Sequence, residues 1–231
     1  MRVIIDLHEI VHFYDENPDA RPHSSAVKLL AHEEFAIQLL IDFLRRSGSE
    51  VKIWPHVPTS VGRGPRLDAW ITVVTDVEVH YQVEVKAWSF HGYGDGKPLP
   101  VMADVEELSQ FMISKFAQYW NAETGRFNFE GINKVLGQMK HSHAGEIRPL
   151  ACLWAAMHPS GDIDEPFFEV IGVRNKEFKK IWFFSISSYL RQCLRNGIKT
   201  IELELPKTVM RLHHINKIFR VKSQLLQRGE E

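Results

Sequence analysis

At 231 residues, with 44% hydrophobic and 25% charged positions, the chain has the composition of an ordinary globular protein, which excludes the disordered and fibrous classes. A formal net charge of −1 excludes a protein that coats polyanions through a strong global field. Cys152 and Cys193 sit among apolar neighbours, the acidic N-terminus lacks the positive start of a signal peptide, and no apolar run reaches the roughly 18 residues of a membrane span, so the expectation is a cytoplasmic chain with free thiols and no membrane partner.

Residues 1–20 mix apolar and acidic positions and end in the turn-like Asn17-Pro18-Asp19; they support no assignment. From Ser24 or Ser25, either a good N-cap, Leu30, Ile37, Ile41 and Leu44 mark a helix running to Arg46, with Gly48 placed to end it. A short strand-like VKIWPHV and the Gly- and Pro-rich loop PTSVGRGP follow. Residues 66–88 then read as a hairpin turning near Thr75-Asp76, because Val77, Val79, Tyr81, Val83 and Val85 alternate with polar residues at period two.

Residues 90–100, FHGYGDGKPLP, are a loop by composition, and Phe90, His91 and Tyr93 in it are able to stack on splayed bases. Helical spacing recurs in 103–120, through Leu108, Phe111, Met112, Phe116 and Trp120, and a further helix is expected over 130–142. PLACLWAAM and FFEVIGV read as buried strands, SSYLRQCLRNG as a helix stopped by Gly197, and IKTIELELP as another strand. A basic amphipathic helix from about Thr208 to Leu226 closes the chain. The segment from Lys207 to Arg228 holds Lys207, Arg211, Lys217, Arg220, Lys222 and Arg228 without an acid, which suits either phosphate contact or a plain solvated face.

The chemistry concentrates in the second strand of the hairpin. Glu84 and Lys86 are two apart and therefore share one sheet face with Gln82 and His80, while Val83 and Val85 point into the core. Asp68 opens the partner strand, where the turn brings it to the level of Glu84. Two carboxylates and the Val85 carbonyl make a hard, all-oxygen site suited to Mg²⁺ or Mn²⁺, with Lys86 beside it to orient or deprotonate a water. In the preceding loop Arg63 and Arg66 are candidates to grip a phosphate, since a guanidinium matches it in bidentate fashion.

A Glu-bearing helix, a Gly-Pro loop, an Asp opening a strand and E-x-K closing the hairpin together resemble the PD-(D/E)XK nuclease superfamily over about Ala26 to Trp88. The resemblance implies an α/β fold with a central mixed β-sheet flanked by helices, a restriction endonuclease-like core, and divalent-metal hydrolysis of phosphodiester bonds, of DNA more than RNA, in restriction, defence or repair. Asp68 then matches the first metal carboxylate, Glu84 the second and Lys86 the lysine; Arg66-Leu67 stands where the motif has its proline. The family's helix-borne Glu falls on Glu33 or Glu34, and a helical wheel favours Glu34, between Val27 and Ile41 on the stripe facing the sheet. Gln138 or Lys140 fits the polar residue that many members carry on the next helix, and a homodimer is plausible by analogy.

The whole chain reads as a single nuclease-like domain, with its core at about 24–160 and a C-terminal α/β extension over 161–231 ending in the basic helix. A rival reading keeps the fold without catalysis, as a module that binds nucleic acid or a protein partner. Zinc is disfavoured: His141-x-His143 and His213-His214 lie apart from the two cysteines, which are themselves far from each other in sequence.

Overall fold

The computed structural model describes residues 2–16, 26–55, 68–74, 78–86, 104–128, 132–133, 136–137 and 146–219. At its centre is a six-stranded mixed sheet. Three strands form an antiparallel meander: β2 (Glu50–Pro55), β3 (Ala69–Val74) and β4 (Glu78–Lys86). Next come β7 (Glu146–Leu153), parallel to β4, and β9 (Lys180–Ser185), parallel to β7. The edge strand β8 (Phe167–Ile171) runs antiparallel to β9. The parallel trio ends at one level, because Lys86 pairs with Leu153 and Leu153 with Ser185.

Each sheet face is covered. On one side, Ile71, Val73, Val79, Tyr81, Val83, Val85, Leu150, Cys152 and Phe184 pack with Phe35, Ala36, Leu39, Leu40 and Leu44 of α2 (Ala26–Arg46) and with Tyr189 and Leu190 of α4 (Ile186–Arg195). Helix α2 ends where expected, at Gly48, whose φ of 84° no side-chain-bearing residue adopts without cost. On the other side, Ala151, Leu153, Phe168, Val170, Ile181 and Phe183 meet Phe116 and Tyr119 of α3 (Val105–Tyr119) and Phe127 of the small ribbon β5 (Trp120–Asn121) and β6 (Arg126–Phe127). Asp104 starts α3 by accepting the N–H groups of Glu106 and Glu107.

The unassigned N-terminus folds as β1 (Arg2–Asp6) and α1 (Leu7–Glu16), and β1 pairs antiparallel with β10 (Thr200–Glu204) in a ribbon of its own. The Asp6 carboxylate accepts from His8 N and Glu9 N and so opens α1. The basic terminal helix begins earlier than expected, as α5 (Pro206–Phe219), and packs on α2; its expected continuation to Leu226 lies outside the described residues. Of the helix expected over 130–142, residues 132–133 and 136–137 are helical and the others are likewise outside. Both cysteines are buried free thiols. Among the described residues no helix is long and apolar enough to cross a membrane.

Candidate active site

Strand pairing does the assembling. Ala69 pairs with Val83, so the next position brings Asp68 level with Glu84, and the Val85 N–H donates to Asp68 Oδ2 at 2.7 Å. Lys86 Nζ donates to Glu84 Oε1 at 2.6 Å. Alternation sends Val79, Tyr81, Val83 and Val85 into the core shared with α2, as the sequence pattern requires. The opposite face of the hairpin is polar yet also covered. Thr72, His80, Gln82 and Glu84 are all less than a tenth exposed, which is the informative combination, since apolar burial needs no explanation and polar burial does.

Part of that polar face is internally satisfied. His80 Nδ1 lies 3.0 Å from Thr72 Oγ1, its Nε2 3.2 Å from Glu78, and its ring rests 5.3 Å from that of Trp70. Glu84 differs. One of its oxygens takes the Lys86 ammonium, and the other is buried without a hydrogen-bond partner among the described residues. A buried, unpaired carboxylate oxygen costs free energy unless something else arrives to meet it.

The electrostatics point the same way. Burial, and next the negative charge of Glu84, push the Asp68 carboxyl up to about 7; the Val85 N–H works against this, Glu33 adds to it, and Lys86 opposes it. A single ammonium therefore does not neutralise the two acids. Burial, with the Asp68 charge behind it, also pushes the Cys152 thiol up, which makes Cys152 a core residue rather than a nucleophile.

Glu34 is a correction. The helical wheel makes it the helix carboxylate of the site, but both its oxygens are committed to α5: Lys207 N donates to Oε1 at 2.9 Å, while Thr208 N and Thr208 Oγ1 donate to Oε2, each at 2.7 Å. It is Glu33, one position earlier, whose charge reaches Asp68. A wheel drawn for α2 alone takes no account of α5, a helix that covers the Glu34 flank of α2 and takes its carboxylate. Arg63, Arg66, Gln138, Lys140, the 90–100 loop and His141-x-His143 fall outside the described residues.

Two further arrangements have no counterpart in the sequence reading. His8-Glu9-Ile10-Val11-His12 has the spacing of a zinc-hydrolase helix, and His8, Glu9, Val11 and His12 line an open hollow of about 410 Å³. Among the described residues, however, no three His, Cys, Asp or Glu side chains are gathered to hold a metal ion. Zinc wants three or four protein ligands, whereas Mg²⁺ keeps several waters. The second is His158, whose Nε2 lies 3.0 Å from Glu165 and whose Nδ1 lies 3.0 Å from Ser160 Oγ, the order of a nucleophile triad. The backbone N–H groups of Ser160 and Asp162 also donate to that Nδ1, at 3.2 and 3.1 Å. Its lone pair is thus already occupied and unable to take a serine proton, and the imidazole serves as the organiser of a tight loop.

Compared with protein-family models, with curated proteins and with solved structures, the chain finds no match. Its chemistry therefore rests on its own residues. Asp68, Glu84 and Lys86 converge, Val85 ties the two strands together, and Glu34 is held by α5.

Proposed function

We propose that this chain is a divalent-metal-dependent nuclease with a restriction endonuclease-like core, hydrolysing phosphodiester bonds of DNA. The observation that carries the reading is the acid pair: Asp68 is driven up to about 7 by burial and by the charge of Glu84, and Glu84, with the Lys86 ammonium on one oxygen, has its other oxygen buried without a hydrogen-bond partner among the described residues. Such a pair suits a hard cation, and Asp68, Glu84 and the Val85 carbonyl are the oxygen donors that would hold it. Bound there, Mg²⁺ or Mn²⁺ supplies charge stabilisation for the phosphorus oxygens and acidifies a coordinated water.

The remaining tasks belong to the protein. Lys86, held on Glu84 and partly exposed, is placed to orient the attacking water and to hold its proton in transit. Glu33 adds negative charge at the helix side and favours cation binding. The C-terminal ends of β4, β7 and β9 lie at one level, and in open α/β sheets ligands settle at such ends, which supports approach of the substrate from the Lys86 side.

The test is cleavage of supercoiled plasmid and of labelled single- and double-stranded DNA and RNA by the purified full chain. Nicking that needs Mg²⁺ or Mn²⁺, stops with EDTA and is lost in Lys86→Ala is the expected result. Folded wild-type protein that cuts none of these substrates with either metal, or cuts equally well in EDTA, overturns the reading.

A further inference from the structure

Helix α5 carries an arrangement that catalysis at Asp68 and Glu84 does not use. The cations Lys207, Arg211 and Lys217 recur at i, i+4 and i+10, with His214 at i+7 beside them, which at roughly 100° per residue places all four on one face of the helix. No Asp or Glu occurs between Pro206 and Phe219. Thr208, the residue held by Glu34, is buried, whereas Arg211, His214 and Lys217 are exposed. From Met210 to Lys217 every residue is exposed.

The anchor ties this face to the acid pair. Glu33 and Glu34 are consecutive on α2; the first lends its charge to Asp68 and the second accepts the N–H groups that open α5. The helix therefore starts one side chain away from the turn of α2 that attends the site, and its fourteen residues run for about 21 Å at 1.5 Å each. Duplex DNA presents one negative charge per roughly 1.7 Å of its axis, so a stripe of this length meets several phosphates.

Exposed apolar side chains also occur on α5, but they do not make a single seam. Leu212 and Ile215 lie on the side of Thr208, whereas Met210 lies among the cations, about 160–220° away. Charge, and not a continuous apolar stripe, is what the outward face offers.

We infer that α5 lays its cationic face along the phosphate backbone of a nucleic acid, as a sequence-independent grip beside the acid pair. The inference rests on the nuclease reading for its choice of substrate, but binding is measurable apart from cleavage. The experiment follows fluorescence anisotropy of a labelled DNA duplex with the full chain carrying Lys86→Ala, with and without Arg211→Ala and Lys217→Ala, from about 50 to about 200 mM salt.

The expected result is at least about tenfold weaker binding at low salt for the variant with both cations removed, and a log–log salt slope smaller by about 1.8, or about 0.9 for each phosphate that is no longer neutralised. Circular dichroism checks that these exposed substitutions leave the fold intact. Unchanged affinity and slope overturn the inference even where wild-type protein cleaves DNA. So does an outcome in which Leu212→Ser with Ile215→Ser abolishes self-association while DNA binding ignores the cations, since α5 is then a protein-docking helix. Weakened binding in a chain whose wild type never cleaves overturns the nuclease reading and leaves the grip standing.

Discussion

His158 and Glu84 are both buried ionisable groups near the C-terminal ends of parallel strands, and they differ in how completely their polar atoms are met. Each ring nitrogen of His158 has a partner: Nδ1 accepts two backbone N–H groups, and Nε2 faces Glu165, with the Phe168 ring edge-on at 4.7 Å. Glu84 has one oxygen on Lys86 and one on nothing among the described residues, next to an Asp68 whose carboxyl is lifted to about 7. The first cluster holds a loop in place, whereas the second leaves a polar atom buried at a cost in free energy. Exposure alone does not separate the two, since both residues are less than a tenth accessible.

That contrast breaks if the two sites respond alike to removal of their central group. Glu84→Gln is expected to lower cleavage by at least about 10²-fold, the scale of a lost charge-stabilising or acid–base group, while the melting temperature of the metal-free protein stays close to wild type. His158→Ala is expected to do the reverse. It leaves the Ser160 and Asp162 N–H groups without their acceptor and opens a void beside Phe168, which costs about 3 kcal/mol in chemical denaturation. If Glu84→Gln destabilised the protein as strongly, Glu84 would be a structural group too.

Asp68 sharpens the comparison through pH. Its ordinary carboxyl value is 3.8, and in the fold it rises to about 7. Between these values the folded chain keeps a proton that the unfolded chain has released, so stability falls as pH rises across the window and levels off above it. Asp68→Asn keeps an acceptor for the Val85 N–H and removes the charge. Metal-free Asp68→Asn should therefore exceed wild type by about 1–3 kcal/mol at pH 8 in urea titrations and match it near pH 4. Saturating Mg²⁺ should close the gap at pH 8 by stabilising only the wild type. A pH-independent difference would mean that Asp68 is not held in a site that disfavours its carboxylate form.

The smallest expected effect separates the two neighbours on α2. Glu34→Ala removes the acceptor of two N–H groups and a hydroxyl at the start of α5 and should cost about 1–2 kcal/mol. Glu33→Gln should leave stability nearly unchanged and weaken Mg²⁺ binding, read by isothermal titration, because it removes charge near Asp68 without removing a structural bond. Equal behaviour of the two substitutions would erase the distinction that the fold draws between them.

Local pattern carried much of this architecture. Period-two alternation with a turn near residue 75 determines which of residues 78–86 face the α2 core, and with it that Glu84 and Lys86 share the other face and that Asp68 stands opposite Glu84. Capping and glycine chemistry determine where α2 and α4 stop. Long-range packing decided the rest. Strand β1 was illegible because its partner, β10, lies at the other end of the chain. The commitment of Glu34 was illegible because the helix that takes its carboxylate arrives some 170 residues later. Burial of the polar face of β3 and β4, and with it the raised Asp68 carboxyl and the Glu84 oxygen that meets no partner among the described residues, is likewise a property of the assembled layers. Residue spacing determines which side chains can meet, but desolvation and occupancy depend on every group that packs around them, and these exist only in the tertiary structure.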